Sequence, residues 1–349
     1  MKRKNLGRMT VWLMTLLSVS LIFGSEIVYG NPGDEVKEVA MKTPVTEIGS
    51  FKIEKMIEDT LFANPISGTI DDEGNIYIID MKLAKLFKFS LDGKLLNSID
   101  RRGTGPGDLS TPVLVKFRDN KLYTFDFQLP YVNLFDKDLK LLEQRKLAKL
   151  RSPSSVEFVG DEMLISSSPM QMFMGHRFFL YLVNGEMKEK LLPDEQIDPA
   201  KIVKGAKITM KMPSFLYLEP TSGDLWCAAV APYEITVLNK KYEKIKRLKG
   251  DISFKFEDQI AGKGERKVII KSPVDMAYFF TGKNGKLFYC YKYDGETYLD
   301  VIENDSIKKR FKSKEIKKIL SVIGQNTFLA GFNEAADGEP AVGIVSIEL

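Results

Sequence analysis

The chain of 349 residues holds a single histidine, His176, and that one count removes much of the chemistry open to a protein of this size. A zinc centre built on several imidazoles cannot be assembled. A relay of serine, histidine and aspartate would have to run through His176, and no serine sits in a nucleophile-elbow sequence that would support it. His176 closes an alternating run with Met170, Met172 and Met174. Thioethers and an imidazole are soft ligands that suit Cu(I), whereas the same methionines beside Phe173, Phe178 and Phe179 also read as adaptable apolar filler. Cys227 and Cys290 are expected as two buried thiols, because they fall on strands of adjacent sheets spaced about 10 Å apart, beyond the reach of a disulfide. The expectation is no catalytic residue, no cofactor and no metal, with Met170, Met172, Met174 and His176 as the remaining metal candidates.

Basic side chains offer a different kind of site. Arg101, Arg102, Lys201, Lys204, Lys207, Lys211, Lys263, Arg266, Lys267 and Lys271 lie in or beside long polar connections. If they converge, the surface they form attracts an anionic ligand such as an acidic glycan or an acidic patch on a protein partner. The expected binding set is Arg101, Arg102, Asp108, His176, Lys211, Arg266 and Lys271. Gly103, Gly105 and Gly107 do not make a phosphate loop, since no Gly-Lys-Ser/Thr follows and the next element is a strand, not a helix.

The elements that must carry these residues are written in a repeat. Asn64-Pro65, Thr111-Pro112, Ser152-Pro153, Met212-Pro213 and Ser272-Pro273 each open an apolar stretch. A Gly, Asn or Asp turn follows, and then a stretch rich in β-branched and aromatic residues, as in Ile76-Tyr77-Ile78-Ile79-Asp80 and Leu122-Tyr123-Thr124-Phe125-Asp126. Proline cannot donate to a ladder and survives at a strand's first residue, while the turn residues supply the positive φ of tight hairpins. A period of roughly 40 to 60 residues with about four strands each marks a β-propeller. A sixth, degenerate unit from Ile316 to Leu349 supplies only three strands. Residues 44–56 precede the first unit and belong to none, so they are expected to add the missing strand. The predicted fold is all-β: a six-bladed β-propeller of four-stranded antiparallel blades, with an N-terminal strand closing the last blade.

Strand order then assigns faces. In such a blade the connection to the next blade and the loop between second and third strands emerge together. Residues 101–111, 170–177, 194–212, 251–272 and 333–340 therefore share one face, the opposite face carries short turns, and binding is expected on the loop-rich side at the channel mouth. A short helix is predicted within 193–207. Propeller enzymes place ligands beside the innermost strands' starts, which here are Asn64, Ile66, Thr111, Val113, Ser152, Ser154, Met212, Ser214, Ser272 and Val274. None is a carboxylate or a histidine. Asp108, Glu157 and Asp275 lie nearby as single acids, short of a ring of oxygen ligands for a hard cation.

The run from Arg101 through Gly103, Gly105, Gly107, Asp108 and Leu109 to Pro112 resembles the inter-blade signature of NHL-repeat proteins, in which a Gly-rich turn leads to an apolar residue and then proline. Residues 44–349 are similar in layout to secreted bacterial six-bladed propellers related to NHL and TolB-like proteins. The resemblance implies the fold. It also brings lactonase-type and lyase-type propellers into view as an alternative function.

The first residues lie outside the repeat. Lys2, Arg3, Lys4 and Arg8 precede an apolar run from Met9 to Phe23 and a small-residue exit at Val28-Tyr29-Gly30, the pattern of a secretory signal peptide. The expected organisation is a signal peptide over 1–30 and one domain over 31–349, with 31–43 flexible. Without the leader the charge falls to 47 basic against 46 acidic residues, a balance that implies neither nucleic acid nor stable membrane insertion. The expectation is an exported monomer, periplasmic or extracellular, that acts as a non-catalytic binding module; a metal-dependent lyase or lactonase-type enzyme is the alternative.

Overall fold

Four of the five repeat prolines begin a strand: Pro65–Ile70, Pro112–Arg118, Pro153–Val159 and Pro213–Leu218. The register slips directly after each, between Pro65 and Ser67, Pro112 and Leu114, Pro153 and Ser155, and Pro213 and Phe215. The ring nitrogen has no hydrogen to give, so a ladder can start at proline, and the bulge absorbs the extra residue. Pro273 departs from the expectation. It ends the strand Val268–Pro273, which lies in a different sheet, and the innermost strand of the fifth blade is Met276–Lys283.

The computed structural model describes residues 36–43, 47–57, 62–147, 153–167, 180–184, 186–190, 207–209, 213–261, 268–332 and 340–349. The chain divides into Met1–Glu35 and Val36–Leu349, and the described residues all belong to the second unit. Each opening strand heads an antiparallel sheet whose order in space follows the chain. The first sheet adds Ile76–Asp80, Lys85–Phe89 and Leu95–Ile99. The second adds Lys121–Asp126, Tyr131–Phe135 and Leu141–Lys146. The third adds Glu162–Ser167, Leu180–Asn184 and Glu186–Lys190. The fourth adds Leu225–Ala229, Glu234–Leu238 and Lys244–Lys249. The fifth adds Lys286–Tyr293, Glu296–Glu303 and Ser306–Ser313. These five blades are each built from consecutive chain. The sixth sheet is composite: Ile316–Val322, Thr327–Phe332 and Val342–Ser346 are joined by Lys52–Ile57, which runs antiparallel to Val342–Ser346.

Opening strands of successive sheets pack side by side, and Ile316–Val322 packs on Pro65–Ile70, which closes the ring. The fold is therefore an all-β propeller of four-stranded antiparallel blades. Its core is distributed between blades: Tyr77 and Ile79 of the first sheet meet Val115, Leu122 and Phe135 of the second, and Leu320, Leu329 and Val342 of the composite sheet meet Ile76 and Ile78. Burying each such side chain contributes roughly 1.5–3 kcal/mol. Two joints are pinned by hydroxyls, as the Val115 N–H donates to Ser67 Oγ and the Leu216 N–H to Ser155 Oγ, each at 3.1 Å. Cys227 and Cys290 are buried free thiols, and burial pushes both up to about 12.

The segment before the first blade does more than supply one strand. Lys37–Ala40, within the stretch expected to be flexible, lies parallel to Lys244–Lys249 on the outer edge of the fourth sheet. Ile48–Ser50 lies parallel to Ser306–Ser313 on the fifth. Of the segment expected to close the last blade, only Lys52–Ile57 does so. Residues 251–272, read as a loop, hold the hairpin Phe256–Ala261 and Val268–Pro273, with Lys207–Thr209 pairing parallel to the latter. The helix expected within 193–207 lies outside the described residues, except that its last residue, Lys207, starts that strand.

Candidate functional site

Among the described residues, the acids beside the loop-rich ends of the first, second and fifth blades are held by the chain itself. Asp80 ends the second strand of the first blade, and its carboxylate accepts the N–H groups of Ala63 at 2.7 Å, Asn64 at 2.8 Å and Leu83 at 2.9 Å. Asp126 occupies the same place in the second blade and accepts from Ser110, Thr111, Gln128 and Leu129. Each carboxylate thus ties the loop between second and third strands to the segment leading into its own blade. The third and fourth sheets carry Ser167 and Ala229 at this register position. In the fifth, Asp275 works from the other side, accepting from the N–H groups of Lys255 at 2.9 Å and Asp294 at 3.1 Å.

The two other acids the sequence placed near the mouth are also engaged. Asp108 closes its own turn: the Gly105 N–H donates to Asp108 Oδ2 at 2.9 Å, and the Asp108 N–H donates to Gly105 O at 3.0 Å. A side chain at Gly103 would collide with that carboxylate, and Gly107 sits at φ 77°, so the glycines serve the turn's shape. The turn carries Leu109, 1% exposed, into the core between the first two blades. Glu157 faces Lys116 Nζ at 3.5 Å. Burial raises the Glu157 pKa, with the Lys116 charge and hydrogen bond acting against it.

The basic residues are less constrained. Arg101 and Arg102 are exposed, and neither has an ion-pair partner among the described residues. Arg102 donates to Lys82 O at 2.6 Å, which fixes it at the first blade's second loop. Lys271 lies on the strand Val268–Pro273, in register with Asp258 on one side and Thr209 on the other. His176, Lys211 and Arg266, and the metal candidates Met170, Met172 and Met174, lie outside the described residues. No group of three or more His, Cys, Asp or Glu side chains able to hold a metal occurs among the described residues.

Sequence reasoning missed Lys318. It lies on the opening strand of the composite sheet, just past a register shift, at the position Ser67 and Ser155 hold in their blades. Burial lowers its pKa to about 8, with the neighbouring Lys317 charge adding to the effect, and no carboxylate partners it among the described residues. The signal was available in principle, because alignment of the strand starts puts a lysine where two other blades have serine and two have Leu114 and Phe215.

Comparison with solved structures places the chain among β-propellers. A candidate exported protein from Bacteroides fragilis NCTC 9343 superposes with a TM-score of 0.58 at 12% identity, covering 90% of this chain and 100% of that one. A member of the duf4221 family from Bacteroides vulgatus gives 0.59 at 9% identity over 86% and 98%. A catalytically inactive virginiamycin B lyase from Staphylococcus aureus, solved with quinupristin, gives 0.54 at 13% identity over 86% and 100%. Identities this low show the fold alone. No family model matches the sequence, and no curated protein matches it. The resemblance to NHL-repeat and TolB-like proteins is thus supported only as far as the propeller class. No helix among the described residues is long and apolar enough to cross a membrane.

Proposed function

We propose that this chain is an exported six-bladed β-propeller, the composite sheet counting as a blade, that binds an anionic glycan or an acidic protein surface through its loop-rich face. The observation that carries the reading is the contrast at the mouth. Asp80, Asp126 and Asp275 are engaged by backbone N–H groups, whereas Arg101 and Arg102 are exposed without ion pairs among the described residues. Acids held in this way position loops, and basic side chains left over attract anions. Lys318 adds a further positive charge on an innermost strand. The binding set is Arg101, Arg102, His176, Lys211, Arg266 and Lys271, with Asp108 as the residue that shapes the Arg101 and Arg102 turn. Export is supported by the leader pattern at residues 1–30 and by the candidate exported neighbour.

The test is an acidic-glycan array and a pull-down comparing the native chain with a triple variant, Arg101→Glu, Arg102→Glu and Lys271→Glu. A control triple, Lys94→Glu, Lys140→Glu and Lys241→Glu, alters exposed lysines in turns of the opposite face. Binding should be lost in the first triple, kept in the second, and weakened by salt once the Debye length falls below about 10 Å. Equal loss in both means general charge, and no loss in either moves the binding surface elsewhere. A metal-dependent lyase or lactonase is the second reading, drawn from the lyase neighbour; it needs acids at the mouth that are free to ligate.

A further inference from the structure

The turns of the opposite face enclose a cleft between the fourth and fifth blades, with a volume of about 410 Å³. The repeat itself shows that this space is unusual. Trp226 is the second residue of the fourth blade's second strand, facing Tyr217 in register, and Tyr77 is its counterpart in the first blade, facing Thr69. Tyr77 is fully buried, and its one hydroxyl proton is shared between Asp71 Oδ2 at 2.9 Å and Lys137 O at 3.0 Å. Lys137 belongs to the turn between the second blade's third and fourth strands, where Asp136 bonds Lys140 end to end. That turn fills the space beneath Tyr77.

In the fifth blade the corresponding turn is only Asn304 and Asp305, both at positive φ. It does not reach across, and Trp226 is left partly buried against an open cleft. Tyr217 forms a wall of it, packed so closely on Gly282 of the fifth blade that any side chain there would collide. The aromatic surface is already used by one cation: Lys246 Nζ lies 5.7 Å from the Trp226 ring centre and is held by Asp305 Oδ2 at 2.8 Å.

The remaining charge in the cleft is negative. Glu219 has no cation partner among the described residues, and hydrogen bonds from Ser222 and Thr221 hold its carboxyl below the usual range against the effect of burial. Among the described residues, Glu303 has only Lys286, at 4.0 Å. Carboxylates around an aromatic wall attract an ammonium group by direct charge and by the negative face of the ring, and the volume is that of a small-molecule site. We propose that this cleft binds a small organic ammonium ion, seated on Trp226 and Tyr217 with its charge toward Glu219 and Glu303. The site is separate from the loop-rich face, and neither reading depends on the other.

The chain has two tryptophans, Trp12 and Trp226, so full-length protein carrying Trp12→Phe reports from the cleft alone. Its fluorescence is titrated with choline, with the neutral isostere 3,3-dimethyl-1-butanol, and with cellobiose. Choline should give a saturable change and the isostere binding weaker by about fivefold or more, as expected for one added charge interaction. Glu219→Gln and Glu303→Gln should each bring choline toward the isostere without altering the isostere, and unchanged circular dichroism and melting temperature confirm their folding. The comparison of the two ligands on the Trp12→Phe chain stands even if a carboxylate variant fails to fold. No response to choline, equal binding of choline and isostere, or saturation by cellobiose alone would each overturn the proposal.

Discussion

Asp126 accepts four backbone N–H groups with one carboxylate, so its removal acts on two loops at once. Asp126→Ala should destabilise the protein by about 1–3 kcal/mol, since four partly buried backbone donors lose their acceptor together. Asp92→Ala, at a side chain 94% exposed, should change little under the same denaturant titration. Equal midpoints for the two variants would show that the loops hold without the carboxylate. Arg310 tests the other buried charge system. It binds Asp300 through two hydrogen bonds, at 2.6 and 2.7 Å, and Asp251 at 2.7 Å, while Asp300 also accepts from Tyr233 at 2.8 Å. Burial opposes the charge on Arg310, but the bonds and charge of Asp300, then of Asp251, raise its pKa. Arg310→Met leaves Asp300, which is fully buried, without its cation and should cost about 3–5 kcal/mol. Lys318 has the opposite sign. Its folded pKa of about 8 lies below the unfolded value of about 10.4, so between those values the unfolded chain binds more protons and stability rises with pH. Lys318→Met should be more stable at pH 7 by about 1 kcal/mol and should lose that advantage as pH climbs toward 10. An advantage that does not change with pH would contradict this.

At the scale of elements, the N-terminal segment acts as a strap across three neighbouring blades. Lys37–Ala40 lies on the fourth, Ile48–Ser50 on the fifth, and Lys52–Ile57 completes the composite sheet. Unpaired edges invite association. Deleting residues 31–57 should therefore lower the melting temperature sharply and promote association, read by thermal denaturation and size-exclusion chromatography. A truncated chain that melts as the native one does would remove the strap from the account. The sequence showed why some strand was needed here, because the last repeat is one strand short. It did not show the division into three, since Lys37-Glu38-Val39-Ala40 and Ile48-Gly49-Ser50 are too short for an alternation of polar and apolar residues to emerge. The hairpin at Phe256–Ala261 and Val268–Pro273 was missed for a related reason: the proline that opens strands elsewhere ends one here. Blade-opening prolines and hairpin turns were legible because they follow from covalent backbone limits that act locally. The carboxylate ties were not, because the donors to Asp80 and Asp126 are set by how the loops fold back.

For the whole molecule, the described residues put different groups on the two faces. The loop-rich face carries acids turned into its own backbone and exposed arginines, and the short-turn face opens a carboxylate-rimmed cleft at one joint of the ring. Residues 31–349 carry 47 basic and 46 acidic side chains, so in the proposed reading the difference between faces, and not the net charge, would direct partners. The proposed role as a binding module rests on mouth acids that position loops and do not ligate a metal. The most direct measurement is metal content of purified protein by mass spectrometry after dialysis against Ca2+ and Zn2+, paired with the same assay on Asp126→Asn and Asp275→Asn. The account predicts no stoichiometric metal in any of the three and a loss of thermal stability in both variants. One metal ion bound per native chain, and lost with either substitution, would contradict it.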